Sequence, residues 1–160
     1  MHRRGFTLVE LMVVVAIIAI LALITLPSLR AHLVRGQITE SAALIDAAKA
    51  QVGAAWQRDK ALPLDNAAAG LPVPARMVGN VVTAIEVEQG ALHVRFGGPQ
   101  ANAALRNRVL SFRPAVVPEA PVVPIAWVCG HAPVPAGMAV QGDDRTDLPE
   151  DLLPLNCRRR

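Results

Sequence analysis

The sequence predicts an α+β fold: a long N-terminal α-helix packed on an antiparallel β-sheet of about four strands, followed by a C-terminal loop closed by a disulfide. Three observations predict it. An apolar run from Leu11 to Leu26 passes into a stretch with apolar residues at every third or fourth position. Short alternating runs follow between residues 81 and 129. The only two cysteines, Cys129 and Cys157, bound an irregular segment rich in proline and glycine.

Composition sets the frame. The chain has 160 residues, and about 130 remain once the apolar run and the residues before it are set aside, enough for one globular domain. The formal net charge of +3 is too small to call for a nucleic-acid partner. Arg158-Arg159-Arg160 is the one basic cluster that points to DNA, through phosphate contacts. With 3% aromatic residues and no tyrosine, stacking platforms for single strands are not expected, and a solvated end is the plainer account.

The first element opens on His2-Arg3-Arg4-Gly5. The apolar run behind it has the length to cross a bilayer as a helix, about 20 residues for ~30 Å of hydrocarbon. The basic start predicts a single pass with the N-terminus inside. A secretory signal fits less well, because no small-residue cleavage site closes the run. Glu10 is the strange residue, with no other charge from there to Arg30. A carboxylate in such a segment costs up to about 2.5–3.5 kcal/mol at a helix centre, so a cationic partner is expected.

Val34, Ile38, Ala42, Ile45, Ala48, Val52 and Trp56 recur at helical spacing, with Arg35, Glu40, Asp46, Lys49 and Arg58 on other sides. The helix is therefore expected to continue to about residue 58. From Phe6 it would be about 80 Å long at 1.5 Å per residue. Pro27 falls inside it and predicts a kink, since it cannot donate to the carbonyl of Leu23. Residues 59–80 read as a loop punctuated by Pro63, Gly70, Pro72, Pro74 and Gly79.

Residues 81–88 alternate, Gln89-Gly90 turns the chain, and residues 91–96 alternate again, which predicts a β-hairpin. Its buried face carries Ile85, Val87, Leu92, Val94 and Phe96. His93 and Arg95 are placed on the solvated face, paired with Glu86 or Glu88. Arg108–Arg113 reads as a third strand stopped by Pro114, residues 114–124 as an extended connection, and Ile125–Cys129 as a fourth strand with Trp127 in the core. After Gly130 no regular pattern appears, although Leu148, Leu152, Leu153 and Leu155 can pack back before Cys157. In an oxidising compartment the cysteine pair reads as one disulfide, worth roughly 3–4 kcal/mol for a loop of this size. Free thiols or a metal site are the alternatives.

No catalytic constellation appears. His2, His32, His93 and His131 have no ligand spacing, and neither a nucleophile elbow nor a phosphate-binding loop is present. Asp143, Asp144 and Asp147 offer oxygen ligands of the kind Ca²⁺ takes but lack the EF-hand spacing, and are read as surface acids. The chain is therefore read as a non-enzyme with no metal and no cofactor.

His2-Arg3-Arg4-Gly5 followed by Phe6-Thr7-Leu8-Val9-Glu10-Leu11 resembles the leader and cleavage site of type IV pilins of the short-leader a-type class. Pro27, Trp127 two residues before Cys129, and the closing Cys157 match features of that family, whereas Ala47 stands where relatives carry a second helix-bending proline. The resemblance implies a major pilin precursor. Residues 1–5 would be a leader cut between Gly5 and Phe6 by a membrane aspartyl peptidase that also methylates the Phe6 amine. Residues 6–29 would be the transmembrane and filament-core helix. Residues 30–160 would be the periplasmic and then extracellular domain, with helix 30–58, loop 59–80, sheet 81–129 and disulfide loop 129–157. Glu10 would meet the Phe6 amine of a neighbouring subunit.

The partners implied are further copies of the chain, the prepilin peptidase, the inner membrane, the pilus assembly machinery and minor pilins. The roles implied are adhesion, twitching motility, biofilm formation or DNA uptake from a cell-surface filament. A minor pilin, a type II secretion pseudopilin and a monomeric membrane-anchored binding module are the competing readings, and the cysteine pair weighs against the pseudopilin.

Overall fold

The computed structural model describes residues 6–159, except for the side chains of residues 24–28. The chain divides into two units, Met1–Leu33 and Val34–Arg160. Helix α1 spans Leu8–Glu40 and helix α2 spans Ala42–Asp59.

In the first unit the described side chains from Phe6 to Leu23 are exposed on every side of α1. Among the described residues, no helix is long and apolar enough to cross a membrane. The apolar side chains described without interruption, Leu8 to Leu23, span about 24 Å at 1.5 Å per residue, short of the ~30 Å of hydrocarbon. The rest of the expected span, and the expected kink at Pro27, fall on residues 24–28 and lie outside the described side chains.

The second unit corrects the single long helix at one point. Ser41 separates α1 from α2, its hydroxyl donating to the Gln37 carbonyl at 3.0 Å and its N–H shared between Gln37 and Ile38. A serine that bonds back to the preceding turn weakens the helical ladder there. The buried stripe is Val34, Ile38, Ser41, Ile45, Ala48, Val52 and Ala55. It keeps strict alternation of four- and three-residue steps, so Ala42 and Trp56 sit half-buried beside it rather than in it. Lys60, in the left-handed conformation, ends α2 and donates its N–H to Trp56.

The sheet is antiparallel in the order β1-β2-β3-β4: β1 Val82–Glu88, β2 Ala91–Phe96, β3 Val109–Val116 and β4 Ala126–Cys129. A short fifth strand, β5 Ala139–Val140, pairs with the end of β3. One face carries Ile85, Val87, Leu92, Val94, Phe96, Leu110 and Phe112, and Lys49 of α2 lies over the Phe112 ring at 4.3 Å. The hairpin register is as expected apart from a bulge between Val82 and Ala84, which turns Val82 inward as well.

Three expectations about this region are corrected. Strand β3 does not stop at Pro114; it runs on to Val116, with Pro114 opposite Trp127. The Pro114 carbonyl accepts from Gln141 N–H, so the edge that lacks a proline N–H faces the junction where β2 has ended and β5 begins. The connection from 117 to 125 is not extended. Pro118 and Pro121 each take the second position of a turn, closed by Ala120 N–H to Val117 and Val123 N–H to Ala120. The segment after Gly130 is not patternless, since it supplies β5 and then crosses the outer face of the sheet.

The 59–80 loop is tied down through one buried side chain. Asn66 donates to the carbonyls of Pro72 (2.9 Å) and Ile85 (3.0 Å) and accepts from Val87 N–H (2.7 Å), locking the loop to β1. Asn66→Ala removes the partner of two buried backbone groups, the Ile85 carbonyl and the Val87 N–H, and of the more accessible Pro72 carbonyl. A loss of about 3 kcal/mol in unfolding free energy is expected, measured by denaturant titration, whereas an exposed change such as Asp65→Ala should cost far less.

Candidate functional site

The residues the sequence singles out fall at two places, the start of α1 and the disulfide-bounded segment. Gly5 and the rest of residues 1–5 lie outside the described residues. Phe6 and Thr7 precede the helix, and the Phe6 side chain is 79% exposed.

Glu10 does not wait alone for a cation. Thr7 Oγ1 accepts from Glu10 N–H at 3.3 Å, and Glu10 Oε2 accepts from Thr7 N–H at 3.5 Å and from Thr7 Oγ1 at 3.4 Å. This is a capping box: Thr7 is the N-cap, Glu10 is the third helical residue, and each satisfies a donor of the other. The carboxylate also sits in the first turn, where the helix dipole favours negative charge. The signal was present in the sequence as a threonine three residues before a glutamate at the head of an apolar run. The two contacts to the carboxylate are long, so it is held loosely and can be outcompeted by a charge-assisted donor. Ala16, Ala19 and Ala22 are exposed on α1 and leave room for close approach of another helix.

Cys129 and Cys157 form the disulfide, with Cα atoms 4.6 Å apart. Cys129 ends β4 opposite Phe112, and Cys157 lies in the 3₁₀ turn Leu155–Cys157. The Cys157 carbonyl accepts from His131 N–H at 2.9 Å, so the two ends of the segment are bonded as well as cross-linked. Leu148, Leu152 and Leu153 are buried beneath it. The basic end is not a free tail. Arg158 donates to the carbonyls of Leu153 and Asp151, and Arg159 N–H donates to Glu150, while Arg160 lies outside the described residues.

Between its ends the segment forms a strap over the outer face of the sheet. Gly142, at φ +76°, passes so close to β2 that an added Cβ would stand 2.6 Å from that of Ala91. Asp144 meets His131 at 3.1 Å and Arg113 at 3.8 Å. Asp147 accepts from Val109 N–H at 2.7 Å, and Thr146 Oγ1 from Ser111 N–H at 3.1 Å. Two side chains thus cover the edge of β3 that β4 leaves open, as edge strands require. Asp144 and Asp147 are engaged with cations and backbone donors. Among the described residues, no group of three or more His, Cys, Asp or Glu could hold a metal ion.

His93 corrects the sequence reading most. Alternation puts it on the polar face, but the strap covers that face, and His93 is 4% exposed. Burial, followed by the Arg145 guanidinium, pushes its imidazole below the usual histidine range, against the opposing pull of Glu88, Glu86 and Asp143. Ser111 and Arg145, which complete this cluster, carry no signal in the local pattern.

Comparison with known proteins places both regions in one setting. A family model described as a bacterial filament pilin matches residues 34–158, and one described as a prokaryotic N-terminal methylation motif matches residues 1–26. A type IV major pilin protein, PilE1, of Neisseria gonorrhoeae is 29% identical over 161 residues, covering 98% of this chain and 87% of the relative. A fimbrial protein of Neisseria meningitidis serogroup B is 28% identical over 164 residues, covering 98% and 94%. The fimbrial protein EcpC of Eikenella corrodens is 38% identical over 113 residues, covering 69% and 74%.

Proposed function

Because the chain belongs to the pilin family and is a structural pilus subunit, we propose that it is the repeating major subunit of a type IV pilus, polymerised through α1. The observation that carries this reading is the surface of α1. Leu8, Val9, Leu11, Met12, Ile17, Ile18, Ile20 and Leu23 are each more than half exposed, and Glu10 is the lone charge among them. So much apolar surface calls for lipid or for other such helices.

In the proposed sequence of events the basic leader, residues 1–5, sets an N-inside precursor in the inner membrane. The prepilin peptidase cuts between Gly5 and Phe6 and the Phe6 amine is methylated. Residues 6–29 then pass from the membrane into the filament core, moved by the pilus assembly machinery. This keeps their apolar surface out of water throughout, while residues 30–160 face outward on the cell surface. In the core the Glu10 carboxylate exchanges its weak bonds to Thr7 for the ammonium of a neighbour's Phe6. A charged pair out of water is favourable only when both partners are present, so the exchange sets the axial register between subunits.

Mass spectrometry of filaments sheared from the cell surface tests this. The expected result is an abundant chain beginning at N-methylated Phe6 and carrying the Cys129–Cys157 bond. Filaments lacking this chain, or containing it only as a trace component, would contradict the major-subunit reading. Gly5→Leu puts a branched side chain at the cleavage site and is expected to leave the leader in place. An unchanged mature mass from that variant would contradict the assignment of the cut.

A further inference from the structure

The imidazole of His93 is buried at the centre of a hydrogen-bonded cluster that the filament reading leaves unused. Its Nδ1 lies 2.9 Å from Ser111 Oγ, and the same oxygen accepts from Arg145 N–H at 2.9 Å. On the far side of the ring, Nε2 lies 3.8 Å from Glu88 Oε2 and has no hydrogen-bond partner. The Arg145 guanidinium closes the cluster from above, ion-paired with Glu88 and, at 3.6 Å, with Glu86. Ser111 is completely buried. We propose that His93 is the proton-sensing pin of an acid-released latch, which holds the strap of residues 143–147 against the sheet when the ring is neutral and lets it lift when the ring is protonated.

The hydrogen-bond directions carry the argument. One lone pair of Ser111 Oγ is taken by Arg145 N–H, so the hydroxyl hydrogen is free to be donated to Nδ1. The Glu88 carboxylate, 3.8 Å from Nε2, selects the neutral tautomer with its proton on that nitrogen, leaving Nδ1 to accept from Ser111. Adding a proton reverses the middle bond. Nδ1 becomes a donor, Ser111 Oγ must accept from both the ring and the strap, and its own hydrogen loses the acceptor it had, in a site closed to water.

The groups around the ring decide the sign. Glu86 and Glu88 reach it from β1 and Asp143 from the strap, and all three favour the cation. Arg145 of the strap opposes it, and Arg95 of β2 lines the same cavity. The 3₁₀ turn Pro74–Arg76 contributes only Pro74 and Ala75 to that lining. Burial outweighs the carboxylates and the ring resists protonation while the strap is closed. Lifting the strap hydrates the imidazole and returns it to its ordinary range near 6.5. Protons therefore bind the open form better, and lowering the pH through that range shifts the balance towards it.

The strap is suited to such a change. Its hold on β3 rests on Asp144, Arg145, Thr146 and Asp147, through an ion pair to Arg113 and a few bonds to Ser111 and Val109. The disulfide keeps the lifted segment tethered at both ends. The consequence is a filament subunit whose outer surface changes its exposed residues between neutral and mildly acidic surroundings without unfolding.

Hydrogen–deuterium exchange of the full chain in detergent micelles tests the latch, with each rate corrected for the intrinsic effect of pH. Peptides covering 143–147 are expected to exchange at least about threefold faster at pH 5 than at pH 7.5, each pH unit between the closed and open midpoints being worth about tenfold. Peptides from α2 should not change. The C2–H exchange of the His93 ring, followed by mass spectrometry over the same pH range, should titrate with the strap and lie below the ordinary histidine value. His93→Gln should abolish the acid response of the strap. A His93 midpoint at or above 6.5, strap opening that does not track the ring, or the same acid response in His93→Gln would each overturn the proposal. The wild-type titration decides the matter even where the variant does not fold.

Discussion

With Glu10→Val as the only subunit, the yield of sheared filaments is expected to fall at least about a hundredfold while the chain still inserts in the membrane. The substitution makes α1 more apolar, so insertion is helped. It also removes the one acid able to meet a neighbour's Phe6 ammonium. Leaving a buried charge without its partner costs roughly 3–5 kcal/mol, and that penalty recurs at every added subunit. The capping box allows a sharper version. Glu10→Gln keeps an acceptor for Thr7 N–H, because glutamine also serves in that position. It removes only the charge. If the ionic exchange sets register, Glu10→Gln should assemble nearly as poorly as Glu10→Val. Should Glu10→Gln form filaments at the normal yield, the residue acts by capping its own helix and the proposed exchange is wrong.

Replacing both cysteines, Cys129→Ser with Cys157→Ser, is expected to cost about 3–4 kcal/mol and to lower the unfolding midpoint by roughly 10–20 °C for a domain of this size. The bond closes a segment with a sequence separation of 28 that carries only the two-residue strand β5 and one 3₁₀ turn. Its order depends on the tether, on three buried leucines and on the strap contacts. Limited proteolysis should therefore cut first between residues 130 and 156 in the variant, while the β1–β2 hairpin resists. An unchanged midpoint, or first cuts in the hairpin, would show that the segment is held by packing alone.

These two regions were readable in the sequence for different reasons. The helix was visible because the apolar run is too long for a buried strand, and in lipid a lone segment satisfies its backbone hydrogen bonds only as a helix. The disulfide was visible because two cysteines allow one pairing. The hairpin was visible because Gln89-Gly90 separates two alternating runs, so register follows from a local turn. His93 shows where this reasoning stops. Period-two alternation says which side of a strand a residue occupies, not whether that side meets water. Pro114 shows the same limit from the opposite direction. A proline ends a strand only if the edge missing its N–H has a partner that needs it, and here that edge faces a gap between two neighbours.

The sequence by itself determined the apolar α1 with its lone acid, the amphipathic character of α2, the hairpin and the cross-link, since each depends on residues a few positions apart or on a pairing without alternatives. Only the tertiary structure decided that Asn66 bolts the loop to β1, that β3 continues through Pro114, and that His93, Ser111 and Arg145 meet under a strap. Those outcomes depend on which distant segment covers which face and edge of the sheet. A side chain's solvation, and with it its charge, is settled by that covering and not by its neighbours in the chain.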